Sequence, residues 1–251
     1  MWIDVLQLRD WYQSYPGRVA RRVVRRALKD WLPPVGTGSV LGLGFAQPYL
    51  KDYQDDRQTV LAMPARMGVI HWPRDHANRV VLTWEAELPF ADNTFDYIVL
   101  AHCLEFTADP ATLLQECWRV LRPEGRLLIV APNRSGAWAR RENSPFGQGH
   151  PYGPVELGQL FRAGDFMMTQ SRYALFAPPT TRRWVLEWYE TWEKIGSRWC
   201  AMLGGVLLME GRKDVYGMRA LSPRRRWQSR VVGVPIPAGI SGLVKKTMKS
   251  D

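Results

Sequence analysis

Five short segments, 39–43, 58–62, 79–83, 95–100 and 126–130, are apolar along most of their length and are separated by helical or turn-forming stretches. A strand wetted on one face alternates polar and apolar residues, whereas a continuous apolar run must be covered on both faces. Helices packed on either side of a parallel sheet provide that cover. The pattern therefore predicts an α/β body, and the chain has enough large apolar side chains to fill one: 12 Trp, 9 Tyr and 8 Phe among 251 residues.

Ahead of the first segment, Val19, Ala20, Val23, Val24, Ala27, Leu28 and Trp31 recur at helical spacing, with Arg18, Arg22, Arg25, Arg26 and Lys29 on the other side. This predicts an amphipathic helix, stopped by Pro33-Pro34 and the Gly36-Thr37-Gly38 turn. Asp109 and Pro110 have the form of an N-cap and first helical residue. The helix they open runs through Leu113, Leu114, Cys117, Trp118 and Leu121, and Pro123-Glu124-Gly125 turns the chain into the fifth strand. Residues 132–153 read as a surface loop, 154–163 as a helix, 166–176 as a strand and 205–216 as a last strand. In the helical stretch 181–200, Trp184, Trp188 and Trp192 recur every four residues, the mark of a buried helix face. The chain thus divides into an N-terminal amphipathic helical segment, 1–37; a body, 38–217, with insertions at 132–153 and 180–200; and a basic, extended tail, 218–251.

The net charge of +10 sits at the two ends. Residues 1–31 carry seven Arg or Lys against three Asp, and residues 219–251 carry eight against Asp251. A solvated arginine face explains such ends, and so does contact with an acidic protein, an anionic membrane surface or nucleic acid. Nucleic acid is not favoured, because the tail offers Trp227 as its one stacking group. Cys103, Cys117 and Cys200 lack disulfide or zinc spacing and read as buried thiols. No apolar run approaches the roughly 20 residues of a membrane span, and the N-terminus lacks a signal-peptide pattern. A cytoplasmic location is expected, and the oligomeric state is left open.

Two stretches carry a family likeness. One is Glu87-Leu88-Pro89-Phe90-Ala91-Asp92-Asn93-Thr94-Phe95-Asp96-Tyr97-Ile98-Val99 with His102-Cys103-Leu104-Glu105 after it. The other runs from Leu113 to Ile129 through Trp118-Arg119-Val120-Leu121-Arg122-Pro123-Glu124-Gly125, with Pro132-Asn133 after it. Together they resemble class I S-adenosylmethionine-dependent methyltransferases, especially the type 11 group. The resemblance implies a Rossmann-like seven-stranded sheet, mostly parallel, with its last strand antiparallel and helices on both faces. It also implies that S-adenosylmethionine lies across the carboxyl ends of the first, second and fourth strands.

On that resemblance, Gly42, Gly44, Ala46, Met63, Trp84, Glu85 and His102 fall around the cofactor. The sequence departs from the family pattern at three places. Gly42 stands at the usual acidic position, and Ala46 and Pro48 replace two glycines of the loop. The second strand ends in Ala62-Met63-Pro64-Ala65, with no carboxylate for the ribose. Glu85 is displaced by one residue from the place of the adenine-binding Asp. A charge-assisted hydrogen bond contributes about 1.5–3 kcal/mol, so losing the ribose carboxylate corresponds to roughly tenfold to hundredfold weaker binding.

His102 is the candidate base or cofactor contact; a helix-start histidine bonded to the backbone is the plainer alternative. Asn133, Arg134, Trp138, His150 and Tyr152 are the candidate substrate contacts. Two functions follow: methyl transfer to a small-molecule or lipid-like acceptor, or a catalytically silent scaffold whose pocket is filled by Phe45, Met63, Trp72 and Trp84.

Overall fold

The computed structural model describes residues 2–214. The anticipated basic tail lies outside the described residues. Seven strands form one sheet: β1 (Val40–Gly44), β2 (Thr59–Pro64), β3 (Val80–Thr83), β4 (Phe95–Ala101), β5 (Leu121–Pro132), β6 (Phe166–Ala174) and β7 (Val206–Lys213), in the order β3-β2-β1-β4-β5-β7-β6. Neighbours from β3 to β5 pair in parallel; β7 runs antiparallel to both β5 and β6.

Although the strands read as apolar runs, alternate residues go to opposite faces. Val99, Ala101, Leu128 and Val130 join one core cluster, and Ile98, Leu100, Leu127 and Ile129 join the other. The second cluster is closed by α3 (Pro110–Val120) and α4 (Pro154–Ala163), through Leu113, Leu114, Cys117, Leu157 and Phe161. Asp109 caps α3 as anticipated, its carboxylate accepting from the Thr112 amide.

The first cluster is closed differently. Helices between successive strands were expected, yet the links from β1 to β2, β2 to β3 and β3 to β4 contain no α-helix, only the 3-10 turn Lys51–Tyr53. Pro48, Pro64, Pro73 and Pro89 fall at these links, and proline removes the backbone donor a helix interior needs. The bare face is covered by the N-terminal pair α1 (Val5–Gln13) and α2 (Tyr15–Leu28). α2 is the amphipathic helix read from the arginine spacing, with Val19, Ala20, Val23, Val24 and Leu28 buried. α1, capped by Asp4, adds Val5, Leu8 and Tyr12.

Several side chains join the two motif stretches: Glu116 accepts from the Leu88 amide, Arg122 pairs with Asp96, and Arg119 makes the most contacts. Arg119, near the end of α3, donates to the Leu88 and Phe90 carbonyls and pairs with Glu116 and Asp92, which pins the turn before β4 against α3. α5 (Arg183–Glu187) and α6 (Tyr189–Trp199) fill the region before β7. Cys103 and Cys117 are buried, but Cys200 is exposed, contrary to expectation. Among the described residues no helix is long and apolar enough to cross a membrane.

Gly44 holds φ +78, and a Cβ there would lie 2.2 Å from the Ala101 carbonyl oxygen and 2.7 Å from the Cys103 Cβ. Gly36 has a similar φ of +81 with open space around it. In urea denaturation, Gly36→Ala should cost about 1–2 kcal/mol, the left-handed backbone alone. Gly44→Ala should cost about 2–5 kcal/mol, because the clash adds to it. Equal losses would show that β1 and β4 are not held in this close approach.

Candidate functional site

In open α/β sheets ligands bind outside the carboxyl ends of the strands, where the strand order reverses. Here that point lies between β1 and β4. The loop after β1 is drawn onto β4 by the Phe45 amide, which donates to the Ala101 carbonyl at 2.8 Å. His102 follows β4 directly with φ 50. Its Nδ1 lies 3.1 Å from Glu105 Oε1, and its Nε2 lies 2.7 Å from the Tyr12 hydroxyl. The Tyr12 hydroxyl is in turn 2.5 Å from that of Tyr49.

All four residues are buried, so the network is a polar chain inside an apolar interface. Burial, the largest cause, raises the Tyr12 and Tyr49 hydroxyls well above the ordinary phenol range, and the Glu105 charge pushes both the same way. The phenols therefore stay protonated and serve as donors. In one consistent arrangement Tyr49 donates to Tyr12, Tyr12 donates to Nε2, and Nδ1–H donates to Glu105. A histidine with a carboxylate on one nitrogen and a donor on the other is an oriented base held in check. Glu105 Oε2 is buried without a hydrogen-bond partner.

Aromatic rings close the remaining space over this end of the sheet. Tyr12 packs on Phe45 and His102 at 5.7 Å between centroids, and Phe146 on His102 at 5.2 Å. Trp11 meets Trp138 and Phe146 edge-on. Tyr12, Phe45, Tyr49, His102, Trp138 and Phe146 are each no more than 3% exposed. With α1 in this position the rings of Tyr12, Phe45 and Phe146 pack against His102 and one another over the ends of β1 and β4, where a ligand of this fold would sit. Open space lies beside these rings: a cavity of about 710 Å³, lined in part by Tyr12, Phe45, Pro48, Ile70 and Trp72 and by Arg9, Arg21, Lys51 and Arg74.

The residues singled out from sequence fall in separate places. Gly42 has Leu61, Leu50 and Ala46 side chains around the position a Cβ would take, so a carboxylate there would collide with the core. Ala46 and Met63 are fully buried, Trp72 is buried, and none of Gly42, Gly44, Ala46, Met63, Trp84, Glu85 or His102 lines the cavity. Trp84 is 58% exposed, so it does not join Phe45, Met63 and Trp72 in filling the hollow. Glu85 is half-buried, with Oε2 lacking a partner.

The segment 132–153 runs along the surface, with Arg134, Arg140, Arg141 and His150 exposed, but several of its side chains turn inward. Asn133 is buried and donates to the Met202 and Gly204 carbonyls. Trp138 donates to the Ala177 carbonyl, and Tyr152 to that of Leu104. Arg134 and His150 remain outside, both paired with Glu156. Sequence reasoning missed Tyr12, Tyr49 and Glu105. Glu105 stands three residues after His102 and was within reach of inspection; Tyr12 is 90 residues away and gave no signal.

Comparison with known proteins agrees with this architecture. The methyltransferase-domain family matches residues 38–129, from the turn before β1 into β5. Over those residues the chain resembles a methyltransferase domain, and its fold is that of solved S-adenosylmethionine-dependent methyltransferases. A ubiquinone/menaquinone biosynthesis C-methyltransferase of Roseobacter denitrificans is 33% identical over 120 residues, which cover 43% of this chain and 48% of the relative. An uncharacterized protein of Mycobacterium tuberculosis is 30% identical over 196 residues, covering 70% and 63%. The chain thus spans from about half to under two thirds of these relatives. An S-adenosylmethionine-dependent methyltransferase of Thermotoga maritima shares the methyltransferase fold with a TM-score of 0.62 at 20% identity, over 84% of this chain and 96% of that one. One from Archaeoglobus fulgidus has a TM-score of 0.54 at 15% identity, over 77% and 94%. The cofactor of the methyltransferase family is S-adenosylmethionine.

A phenol held protonated by burial ionises in the unfolded chain near pH 10 but not in the folded one. The folded state then binds more protons, so stability is fully present below about pH 10 and is lost as pH rises above it. The loss per pH unit, followed by urea denaturation between pH 8 and 11, should be smaller in Tyr12→Phe/Tyr49→Phe than in the parent. Parallel pH profiles would remove these two hydroxyls from the buried network.

Proposed function

We propose that this chain transfers a methyl group from S-adenosylmethionine to a small-molecule or lipid-like acceptor, and that α1 must leave the hollow before the cofactor enters. The observation that carries the reading is the position of Tyr12. It stands over the carboxyl ends of β1 and β4, where this fold binds ligands, and occupies the His102 nitrogen that Glu105 does not. Bound, the cofactor supplies an electrophilic methyl group.

The chain's own contribution is orientation, exclusion of water and a poised proton acceptor. With Tyr12 withdrawn, Nε2 of His102 loses its partner while Glu105 continues to hold Nδ1. That leaves a base able to take a proton from an acceptor, and none is needed if the acceptor is already a nucleophile. The neighbouring cavity favours an acceptor with an apolar body and an acidic group, since Phe45, Pro48, Ile70 and Trp72 line it together with Arg9, Arg21, Lys51 and Arg74, against the one carboxylate of Asp75. Similarity to an enzyme named for quinone biosynthesis supports a lipid-like acceptor in the same direction.

Because the binding-competent form is a fraction of the population, the apparent affinity is lowered by that fraction. Calorimetric titration with S-adenosylmethionine and with its demethylated product should show binding by the parent, and at least about tenfold tighter binding by Tyr12→Ala, which unplugs the hollow. Circular dichroism establishes that the variant is folded. No heat from either folded form at millimolar ligand would overturn the reading and leave the silent scaffold. Binding of equal strength would keep methyl transfer and reject α1 as a plug.

A further inference from the structure

The helix α6 is packed the wrong way round for a soluble protein. Trp188, Trp192, Ile195 and Trp199 follow one another at spacings of four, three and four, which places them along one side. An apolar stripe of this kind normally faces the core, and the sequence predicts burial. Instead the four are 64%, 39%, 50% and 77% exposed, and α6 has no buried residue at all.

The reason lies on the opposite side. Glu193 accepts hydrogen bonds from the Leu175 and Phe176 amides at 3.1 and 2.6 Å, so a carboxylate anchors the helix to the body. Gly196 sits where a Cβ would be 2.3 Å from the Phe176 ring, which seats the backbone itself on that residue. Tyr189 is held by Arg22 of α2, whose guanidinium lies 5.6 Å over the ring. Attachment through Tyr189, Glu193 and Gly196 turns the tryptophans outward.

The exposed surface extends at both ends. Trp184 before the stripe and Met202 and Leu203 after it are 64%, 62% and 57% exposed. Among the described residues, seven of the fifteen exposed large apolar side chains thus fall within 184–203. At about 150–250 Å² for each full aromatic side chain, they present a patch on the order of several hundred Å², beyond what scattered surface residues explain.

Positive charge borders this patch from α2. The two helices themselves are close to neutral, with Arg183, Lys194 and Arg198, and Arg182 just before α5, against Glu187, Glu190 and Glu193. Arg26 of α2 reaches Glu190 at 3.5 Å, which brings the α2 arginine row alongside α6. That row, with Arg25 and Lys29, lines a cavity of about 760 Å³ in which Asp52 is the one carboxylate. Indoles prefer the boundary between hydrocarbon and water, and arginine beside them pairs with anionic headgroups.

We infer that the α5–α6 face, with the arginine row of α2 beside it, docks the protein on an anionic membrane surface. Trp188, Trp192, Ile195 and Trp199 enter the headgroup boundary, and the arginines contact lipid phosphates. The α2 row of Arg22, Arg25, Arg26 and Lys29, with Asp52 as the one carboxylate in its cavity, selects an anionic bilayer over a second copy of this chain, whose α2 row would repel it. This inference stands apart from the catalytic reading.

The test is cosedimentation of the full chain with vesicles of phosphatidylglycerol and phosphatidylcholine, against vesicles of phosphatidylcholine alone. Binding to the anionic vesicles is expected, weakened by salt, with tryptophan emission quenched by brominated lipid. Trp188→Ser/Trp199→Ser and Lys29→Glu/Arg198→Glu, all at exposed positions, should each bind at least tenfold more weakly with unchanged circular dichroism. Undiminished binding by the tryptophan variant would overturn the proposal and assign the attraction to other basic residues. Failure of the parent to bind, with concentration-dependent dimerisation that the same variant abolishes, would overturn it in favour of self-association.

Discussion

The site depends on how closely the end of β1 approaches the end of β4. Gly44 can stand against the Ala101 carbonyl because it has no Cβ and accepts a positive φ. From that contact the Phe45 amide reaches the same carbonyl, the loop through Pro48 folds over the strand ends, and Phe45 is directed into the interface with α1. In the methyltransferase fold this is the place where bare backbone meets the cofactor. In this chain the first glycine keeps that approach, while bulkier residues after it give the N-terminal helix something to pack on.

The N-terminal hairpin is the second determinant. A sheet of this kind is ordinarily covered on both faces by the helices that connect its strands, and three of those connections lack them here. The apolar face exposed by that loss has to be covered by something, and α1 and α2 do so. A cover that lies outside the links between strands differs from one built into the crossovers, because it can be lifted without breaking a strand-to-strand link. The polar chain from Tyr49 through Tyr12 and His102 to Glu105 gives α1 a specific seat, whereas apolar contact alone would permit many.

The α5–α6 region shows the same principle with the opposite sign. There a polar side holds the helix to the body and the apolar side faces outward, so the usual reading of amphipathicity is inverted. Periodicity identified the stripe correctly; only the positions of Phe176 and the Leu175 amide decided which way it would point.

Local sequence determined the strands, the capped helix at Asp109, the basic helix α2 and the likeness to a methyltransferase domain, because each of these is written in residues close together in the chain. The two motif stretches meet in space, through the clamp of Arg119 on the turn before β4, the Arg122–Asp96 pair and the parallel pairing of β4 with β5. What the tertiary structure alone decided was which side chains meet over the strand ends. Tyr12 and His102 are 90 positions apart, and no spacing rule connects them. Whether a hollow is open or filled depends on the volume left after distant elements have packed, a quantity that close packing sets for the whole molecule and that no single segment encodes.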